Sequence, residues 1–501
     1  MGTLSTALDR SSRSLSVSQK LGYALPLTGV TFLAGPIGII SGIYAKHFGL
    51  ALTTIASVFL ISRLFDAITD PLIGHLSDRY KARTGSRKHF IVGGAVLFIV
   101  SSYFLFVPVD PTTVKATTSI STIYFLFWFL AFYLALTVFD IPHLAWGGEL
   151  AVTPEDKNTI FAWRAVAGLI GNILFYAFPL LPIFDSHAFT PEILKWAVII
   201  AGMIMIVVLV VSMRSVPDGR HLAAKQQNEH FHTQNQVKHN QHLRQLLHII
   251  VNNRPFLLFL GAFILSGVGI GASLALLFIF IDSYLKLGEY YALVSLLGLI
   301  AGTLSLGLWH QLANRTGKKF TWAISTVVIV MGLLGIGILT PGEDNKLLLV
   351  LILVLIYSGF AAYAMLSPSL LSDIIDYSTW KFRVDYAASH FSIYTLVAKA
   401  NVALGGALGL SIAGWYDFDP AATTYSSETL FGLRVAIAWL PAAMVLLSII
   451  FILLIPIDAR RLAIIRRHLD ARTDQSRETQ YSPPMQQQVQ STKKFMQTVA
   501  K

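Results

Sequence analysis

Apolar segments of about 20 residues recur along the chain, and this recurrence restricts its fold more than any other feature. A helix of that length crosses the hydrocarbon core of a bilayer. Only 13% of the 501 residues are charged, against about 25% in a typical soluble domain. The pattern predicts an all-α polytopic membrane protein with twelve transmembrane helices. The predicted spans are 21–45, 50–74, 89–108, 120–143, 159–183, 193–213, 254–284, 288–311, 319–339, 346–370, 387–414 and 430–456.

The 38 lysine and arginine residues lie mostly before the first span, after the even-numbered spans and after the last one. Positively charged loops stay on the cytoplasmic side of a membrane. We therefore expect both termini in the cytoplasm and the protein in the plasma (inner) membrane. The net charge of +11 indicates this topology and not a nucleic-acid partner. The chain has no cysteine, which excludes disulfides and thiol chemistry, and we expect no cofactor.

A polar stretch at 214–253 divides the predicted spans into two groups of six. A weak repeat supports this division, because GHLSDRYKARTGSRK after span 2 resembles HQLANRTGKK after span 8. The predicted domains are a cytoplasmic N-terminus (1–20), a first six-helix bundle (21–213), a linker (214–253), a second six-helix bundle (254–456) and a cytoplasmic tail (457–501). Metal binding by the histidines of the linker is less favoured than a solvated role; these are His221, His230, His232, His239, His242 and His248.

Two aspartates, Asp66 and Asp70, lie inside the second span, in the run SRLFDAITDPLIGHLSDR. A carboxylate at the centre of a membrane helix costs roughly 2.5 kcal/mol or more. Residues four apart share one helix face, and Arg63 shares it as well. The pattern favours a binding site for a monovalent cation, either Na⁺ or H⁺. A purely structural ion pair with Arg63 is the alternative, although such a pair needs only one acid.

Further polar groups lie inside other spans. Asp140 follows Thr137 by one turn in span 4, so both side chains share a helix face. We expect Asp140 to join the cation site or to hold a polar solute; a cap or ion pair near the helix end is the alternative. Arg164 in span 5 and Lys399 in span 11 are cations that need anionic partners when buried. The intramembrane acids lie in the first half, so Lys399 is predicted to bridge the two bundles, unless it extends to the membrane surface.

Two features of the inner loops also carry charge. The segment 79–88, RYKARTGSRK, together with Asp78 is predicted to form a charged turn that acts as a conformational latch. A loop that only sets topology is nearly as well supported. Glu149, at the end of span 4, is predicted to pair with a neighbouring loop.

The motifs SRLFDAITDPLIGHLSDR, GSRKHFIVGG, FDIPHLAW, FAWRAVAGL and SDIIDYSTWKFRVDYAASHFSIYTLVAKANVALGG occur in this order along the chain. Together they resemble the glycoside–pentoside–hexuronide:cation symporters, the melibiose carrier-like family of the major facilitator superfamily. The resemblance extends from about residue 20 to residue 456. It implies the major facilitator fold of two six-helix bundles and transport by alternating access.

The resemblance also implies roles for individual residues. Asp66, Asp70 and Thr137 match the ligands of the coupling cation, and Asp140 matches an acid shared by cation and sugar. The residues that match the region of the substrate cavity are Arg63, Asp140, Arg164, Tyr394, Thr395 and Lys399. The pattern departs from the family at two places, because the sugar-binding carboxylate and the stacking aromatic are replaced here by Thr31 and Leu144, although Trp146 is close to the latter.

The expected function is cation-coupled symport of an organic solute, with a sugar or glycoside favoured. The altered sugar site keeps a lysophospholipid or another amphipathic metabolite open as cargo. A proton-coupled exporter and a non-transporting membrane sensor are further alternatives. An enzyme is not expected, because no nucleophile–base arrangement or phosphate loop is found. The expected partners are a small solute, a monovalent cation and the lipid bilayer, and the protein is expected to be a monomer.

Overall fold

A computed structural model of the chain describes residues 15–109, 119–150, 154–218, 249–384, 386–458 and 461–469. Twelve helical segments within these ranges are long and apolar enough to cross a membrane. We number them α1 to α12: Val17–Gly38, Leu52–Thr84, Lys88–Phe106, Thr122–Leu150, Asp156–Leu180, Pro191–Ser215, Arg254–Tyr284, Gly288–Thr316, Lys318–Ile338, Glu343–Phe382, Ser389–Trp415 and Ser427–Leu454. Each coincides with one predicted span, so the predicted all-α fold class is confirmed.

Three predicted spans end well before the helices that contain them. The structure continues α2 to Thr84, α4 to Leu150 and α10 to Phe382, each beyond the predicted end. The apolar pattern stops where the bilayer stops, whereas the helical hydrogen bonds continue through the polar residues that follow. Helix α2 ends at Thr84, and the next residue, Gly85, caps it with a φ of 74°, in the left-handed region that glycine adopts readily. Residues 79–84 of the predicted charged turn are therefore helical.

The two halves pair their helices in the same order. In the first half α1 packs against α5 and α6, α4 packs against α2 and α3, and α3 packs against α6. In the second half α7 packs against α11 and α12, α10 packs against α8 and α9, and α9 packs against α12. Each pair in one half thus has a counterpart six helices later. The result is two six-helix bundles, which meet mainly along α2 with α11 and α5 with α8.

The glycine pair of α11, Gly405 and Gly406, allows close packing on two sides. A Cβ atom placed on Gly405 would lie 2.3 Å from the carbonyl oxygen of Val268 in α7. A Cβ atom placed on Gly406 would lie 3.3 Å from the ring of Phe59 in α2. Helix α11 therefore approaches α7 within its own bundle and α2 in the other bundle.

The bundles are closed at one end. We use "inner end" for the end at which α1 begins and α12 ends, and "outer end" for the opposite one. After α1, Ser41 Oγ donates to the carbonyl of Ala275 in α7 at 2.9 Å, and Lys46 Nζ lies 2.6 Å from Asp282 Oδ2. The Lys399 side chain, deeper in the molecule, is nevertheless 41% exposed. The space between the bundles is therefore still accessible around Lys399.

A short helix at 461–469 follows α12 at the inner end. Its Arg466 Nη2 lies 3.1 Å from Asp373 Oδ1 and its Nε lies 2.9 Å from Asp376 Oδ2, both in α10. Lys318 Nζ, at the start of α9, lies 2.9 Å from Asp373 as well. These ion pairs tie the start of the tail to the second bundle.

The predicted domain boundaries stay a prediction. The six linker histidines lie outside the described residues, as does most of the tail. Within the ranges that the structure describes, no group of three or more His, Cys, Asp or Glu residues is arranged to hold a metal ion.

Candidate functional site

Helix α2 brings Arg63 and Asp66 together on one face. Arg63 Nη1 donates to Asp66 Oδ2 at 2.8 Å, and Asp66 is only 4% exposed. The Arg63 guanidinium carbon also lies 4.2 Å from the centre of the Tyr133 ring in α4, within the range of a cation–π contact. Asp66 Oδ1 is buried and has no hydrogen-bond partner among the described residues. One oxygen of this carboxylate is therefore available as a ligand.

Asp70, one turn further along α2, is held by groups from two other helices. Thr137 Oγ1 in α4 donates to Asp70 Oδ1 at 2.9 Å. Lys399 Nζ in α11 donates to Asp70 Oδ2. The ion pair joins the two bundles, as the sequence predicts for Lys399. Asp70 is thus the acid of this cluster through which the second bundle contacts the first.

Asp140 in α4 pairs with Arg164 in α5, where Arg164 Nη2 donates to Asp140 Oδ1. Arg164 Nε also donates to His143 Nδ1 at 3.4 Å. Accepting at Nδ1 leaves the imidazole proton on Nε2, which lies 3.0 Å from the carbonyl oxygen of Tyr23 in α1. The buried His143 ring stacks on the Tyr23 ring at 4.4 Å. This chain of contacts fixes Arg164 against both α1 and α4.

Sequence reasoning did not single out Tyr133, His143 or Tyr23 as parts of this cluster. Helical spacing could have found the first two: Tyr133 precedes Thr137 by four residues, and His143 follows Asp140 by three. Tyr23 carries no such signal, because its contact with His143 joins helices far apart in the chain.

The cluster is electrically balanced as it stands. Three aspartates face three basic side chains, and each acid has one base: Asp66 with Arg63, Asp70 with Lys399, and Asp140 with Arg164. Paired charges tolerate burial far better than isolated ones. A monovalent cation that enters beside Asp66 and Asp70 would leave one excess positive charge, unless one base moves away. Lys399 is the most exposed of the three bases, at 41%, against 18% for Arg63 and 15% for Arg164.

A cavity of about 350 Å³ lies between the bundles, on the outer side of the charged cluster. Arg63 lines it, together with apolar residues such as Phe59, Phe129, Leu274 and Phe360. The rings of Phe59 and Phe129 stack on each other at 5.1 Å. The described lining does not include five residues that the resemblance assigns to the cavity region: Asp140, Arg164, Tyr394, Thr395 and Lys399.

Tyr394 and Thr395 use their hydroxyl groups inside the second bundle. The Tyr394 hydroxyl lies 3.0 Å from Ser367 Oγ, and the Tyr394 ring stacks on Phe263 at 4.6 Å. Thr395 Oγ1 donates to the carbonyl of Phe391 at 3.0 Å, although the residue itself is exposed. Tyr394 is therefore partly buried and packs against the core of the second bundle.

The positions that depart from the family pattern have clear structural settings. Thr31 Oγ1 lies 3.0 Å from the carbonyl oxygen of Gly168 in α5, so its proton is committed to backbone. Leu144 is 37% exposed and offers an apolar surface. Trp146 is 1% exposed and donates to the carbonyl of Pro217 at 3.3 Å, which leaves its ring no free face for a solute.

The inner ends of α2, α3 and α4 are held by Arg87, which is 8% exposed. It donates to Asp78 at 2.5 Å, to Ser77 at 2.7 Å and to Glu149 at 2.9 Å, and Lys81 also pairs with Glu149. Burial lowers the pKa of Arg87, but the hydrogen bonds to Asp78 and Glu149 outweigh burial and raise this pKa above its usual value. Glu149 thus pairs with a neighbouring loop, as predicted.

Comparisons with known proteins agree with this architecture. The model of the family described as MFS/sugar transport protein matches residues 22–459. The chain is 22% identical over 472 residues to the glucuronide carrier protein homolog of Escherichia coli (strain K12), covering 92% of this chain and 97% of that protein. It is 21% identical over 479 residues to the sodium-dependent lysophosphatidylcholine symporter 1 of Mus musculus, covering 90% and 87%.

A solved structure of the nucleoside transporter NupG is similar in fold. The TM-score is 0.61 at 14% sequence identity, and the match covers 88% of this chain and 99% of the transporter. At this identity the likeness supports the fold alone.

Proposed function

We propose that this chain carries an organic solute together with Na⁺ or H⁺. The premise is its family: the chain belongs to the MFS/sugar transport protein family and fits the glycoside–pentoside–hexuronide:cation symporters. The chain is an integral membrane protein of a transporter family, and nothing in its family membership points to a bound cofactor. A sugar or glycoside is the favoured cargo. The coupling ion, the cargo and the direction of transport are the parts that are proposed.

The observation that carries the proposal is the Lys399–Asp70 ion pair between the bundles. In the balanced cluster, a cation at Asp70 competes with Lys399 for the same carboxylate. Asp66 Oδ1, Asp70 and the Thr137 hydroxyl supply the oxygen ligands that a small hard cation prefers. A proton would need only one of the two carboxylates. Cation binding and the release of Lys399 from Asp70 are therefore coupled in a single exchange.

This exchange gives a coupling mechanism. While Lys399 holds Asp70, α11 is tied to α2 at the level of the charged cluster. When a cation takes the place of Lys399, that tie between the bundles is lost and the ammonium group becomes free to contact cargo in the space between them. Rocking of one bundle against the other then exposes the site to the opposite side of the membrane. In this scheme the described state, closed at its outer end, is the one that releases cation and cargo to the inner side.

The test measures the thermal unfolding of the purified full-length protein in NaCl, in choline chloride and over a range of pH. A ligand that binds only the folded state at 100 times its Kd stabilises that state by about 2.7 kcal/mol. For a chain of 501 residues that corresponds to a rise in Tm of roughly 2–3 °C. We expect Na⁺ to produce the rise if Na⁺ is the coupling ion, and acidification to produce it if the ion is H⁺.

The variants Asp66→Asn and Asp70→Asn are expected to lose this rise while still unfolding cooperatively. Asp376→Asn is the matched control, because its carboxylate pairs with Arg466 at the inner surface and lies outside the cluster. In proteoliposomes, Asp66→Asn should also abolish solute uptake driven by an ion gradient. The proposal fails if neither ion affects the wild type, or if both cluster variants respond as the wild type does.

A lysophospholipid is the second candidate cargo. The mostly apolar lining of the cavity and the exposed Leu144 favour an amphipathic molecule, and the mouse relative carries lysophosphatidylcholine by name. Thermal stabilisation of the wild type by glycosides or by lysophosphatidylcholine distinguishes the two cargoes, and the one that gives no shift is rejected.

Both termini are proposed to be cytoplasmic. The natural absence of cysteine provides a clean background for testing this orientation. A single cysteine at the exposed Glu343, the first residue of α10 at its outer end, should react in whole cells with a membrane-impermeant maleimide, and one at the exposed Arg383, after α10, should not. The reverse reactivity would reject the orientation.

A further inference from the structure

The outer part of the cavity is lined by three tyrosines that neither the charged cluster nor the family pattern explains. Tyr176 comes from α5 in the first bundle, and Tyr291 and Tyr357 come from α8 and α10 in the second. The ring centres of Tyr176 and Tyr291 are 6.3 Å apart. Three phenol groups from two bundles therefore meet at one end of the cavity.

Local packing holds these rings in place. A Cβ atom on Gly298 would lie 2.6 Å from the Tyr357 ring, and one on Gly302 would lie 2.8 Å from the Tyr357 carbonyl oxygen. These two glycines of α8 thus create the space in which the Tyr357 ring lies between α8 and α10. The ring of Phe278 in α7 packs against Tyr291 at 5.0 Å, with the planes almost perpendicular. The hydroxyl groups are held on rigid helices.

The remainder of the cavity has a different chemistry. Its middle is apolar, with the stacked rings of Phe59 and Phe129 on the first bundle and Leu274 on the second. The charged group in its described lining is Arg63, which is already paired with Asp66. The cavity thus offers neutral hydroxyl groups at its outer end and an apolar surface beside them.

We propose that Tyr176, Tyr291 and Tyr357 form the subsite that recognises the hydroxyl groups of the cargo, and that the cargo is a glycoside with an apolar aglycone. This inference rests on the proposed function and deepens it. A phenol both donates and accepts a hydrogen bond, as a sugar hydroxyl does, whereas a quaternary ammonium group does neither. The apolar aglycone lies against Phe59 and Phe129. Because the tyrosines come from both bundles, the subsite is complete when the outer end is closed.

The test uses the full-length protein and a set of 4-nitrophenyl glycosides: the glucoside, galactoside, xyloside and glucuronide. The Kd of each is measured by thermal shift or isothermal titration. Tyr176→Phe, Tyr291→Phe and Tyr357→Phe remove one hydroxyl group each and keep the ring. We expect each to weaken binding of the preferred glycoside by about fivefold, the usual worth of one neutral hydrogen bond, with the Na⁺ or pH response of Tm unchanged.

Tyr363→Phe is the matched control. Its ring is buried in the second bundle, stacked on Phe263 at 5.6 Å, and does not line the cavity. It should bind the glycoside as the wild type does. The inference is overturned if the three cavity variants keep wild-type affinity, if none of the glycosides binds the wild type at millimolar concentration, or if lysophosphatidylcholine is the preferred ligand. Loss of the cation response in the wild type would instead overturn the proposed function.

Discussion

The two bundles share one plan of helix pairing but differ in the charges that they carry at mid-depth. In the first bundle α2, α4 and α5 contribute three acids and two bases to the cluster. The second bundle contributes Lys399 alone. The duplicated pairing shows that the scaffold does not need the charges. All but one of these charges lie in the first bundle, so the two bundles have different roles. The first bundle holds the proposed cation site, and the second contacts it through a single lysine.

The largest effect on stability is expected in the first bundle. Arg164→Gln leaves Asp140 without its base and His143 without its donor. Breaking a buried ion pair costs about 3–5 kcal/mol, and the 33% exposure of Asp140 places this case at about 3 kcal/mol or below. Thermal unfolding in detergent should show a fall in Tm of several degrees.

The double variant Asp140→Asn/Arg164→Gln tests the cause of that loss. It removes both charges, so it should recover at least half of the lost stability. A double variant no more stable than Arg164→Gln would mean that the charge imbalance is not what destabilises the first bundle.

The next effect addresses the shared scaffold. Gly171 in α5 and Gly405 in α11 occupy corresponding helix contacts in the two bundles. Gly171 packs against α1, and Gly405 packs against α7. A Cβ atom on Gly171 would lie 2.4 Å from the carbonyl oxygen of Thr28, and one on Gly405 would lie 2.3 Å from that of Val268. Overpacking of this kind costs about 1–3 kcal/mol, so Gly171→Ala and Gly405→Ala should lower Tm to similar extents.

Gly307→Ala is the control for these two variants, because a Cβ atom on this glycine of α8 meets nothing within 4 Å. It should leave Tm unchanged or raise it slightly, since alanine favours a helix over glycine. If only one of the two variants at these helix contacts is destabilised, the bundles do not share a scaffold at this position.

The smallest free-energy change is expected for the single charge of the second bundle. Lys399→Gln removes the group that competes with the cation for Asp70. We expect the apparent affinity for the coupling ion, measured from Tm at increasing ion concentration, to rise about tenfold, which is roughly 1.4 kcal/mol. Gradient-driven uptake should fall at the same time, because cation binding no longer breaks an ion pair between Lys399 and Asp70 that joins the bundles. Lys381→Gln, whose parent lysine binds the Asn252 carbonyl at 2.9 Å near the inner end, should change neither property. Unchanged ion affinity in Lys399→Gln would refute the competition.

Several parts of the cluster could be predicted because they are local in the sequence. Asp66 and Asp70 stand out since charges inside an apolar helix are costly, and Arg63 follows from helical spacing. Lys399 could be assigned an acidic partner in the first bundle because a buried lysine needs one, but the choice of Asp70 over Asp66 and Asp140 could not be made. That choice depends on how close α11 comes to α2, which is set by glycine contacts between helices distant in the chain.

The cavity was harder to predict. The resemblance assigns Tyr394 and Thr395 to its region, yet Tyr394 turns toward Ser367 and Phe263 inside the second bundle. The tyrosines that do line it, Tyr176 and Tyr357 among them, resemble ordinary core residues in the sequence, because an aromatic residue in an apolar helix has the same pattern whether it faces a neighbouring helix or a cavity.

The sequence by itself determined the number of spans, their order and the presence of mid-membrane charges on α2, α4, α5 and α11. Hydropathy and helical spacing are properties of single helices, so no packing information is needed to read them. Only the tertiary structure decided which base pairs with which acid, that Arg63 lines the cavity whereas Asp140 and Lys399 are not among its lining residues, and that tyrosines from both bundles line its outer end. These features depend on distances between helices far apart in the chain, and such distances follow from the packing of whole bundles.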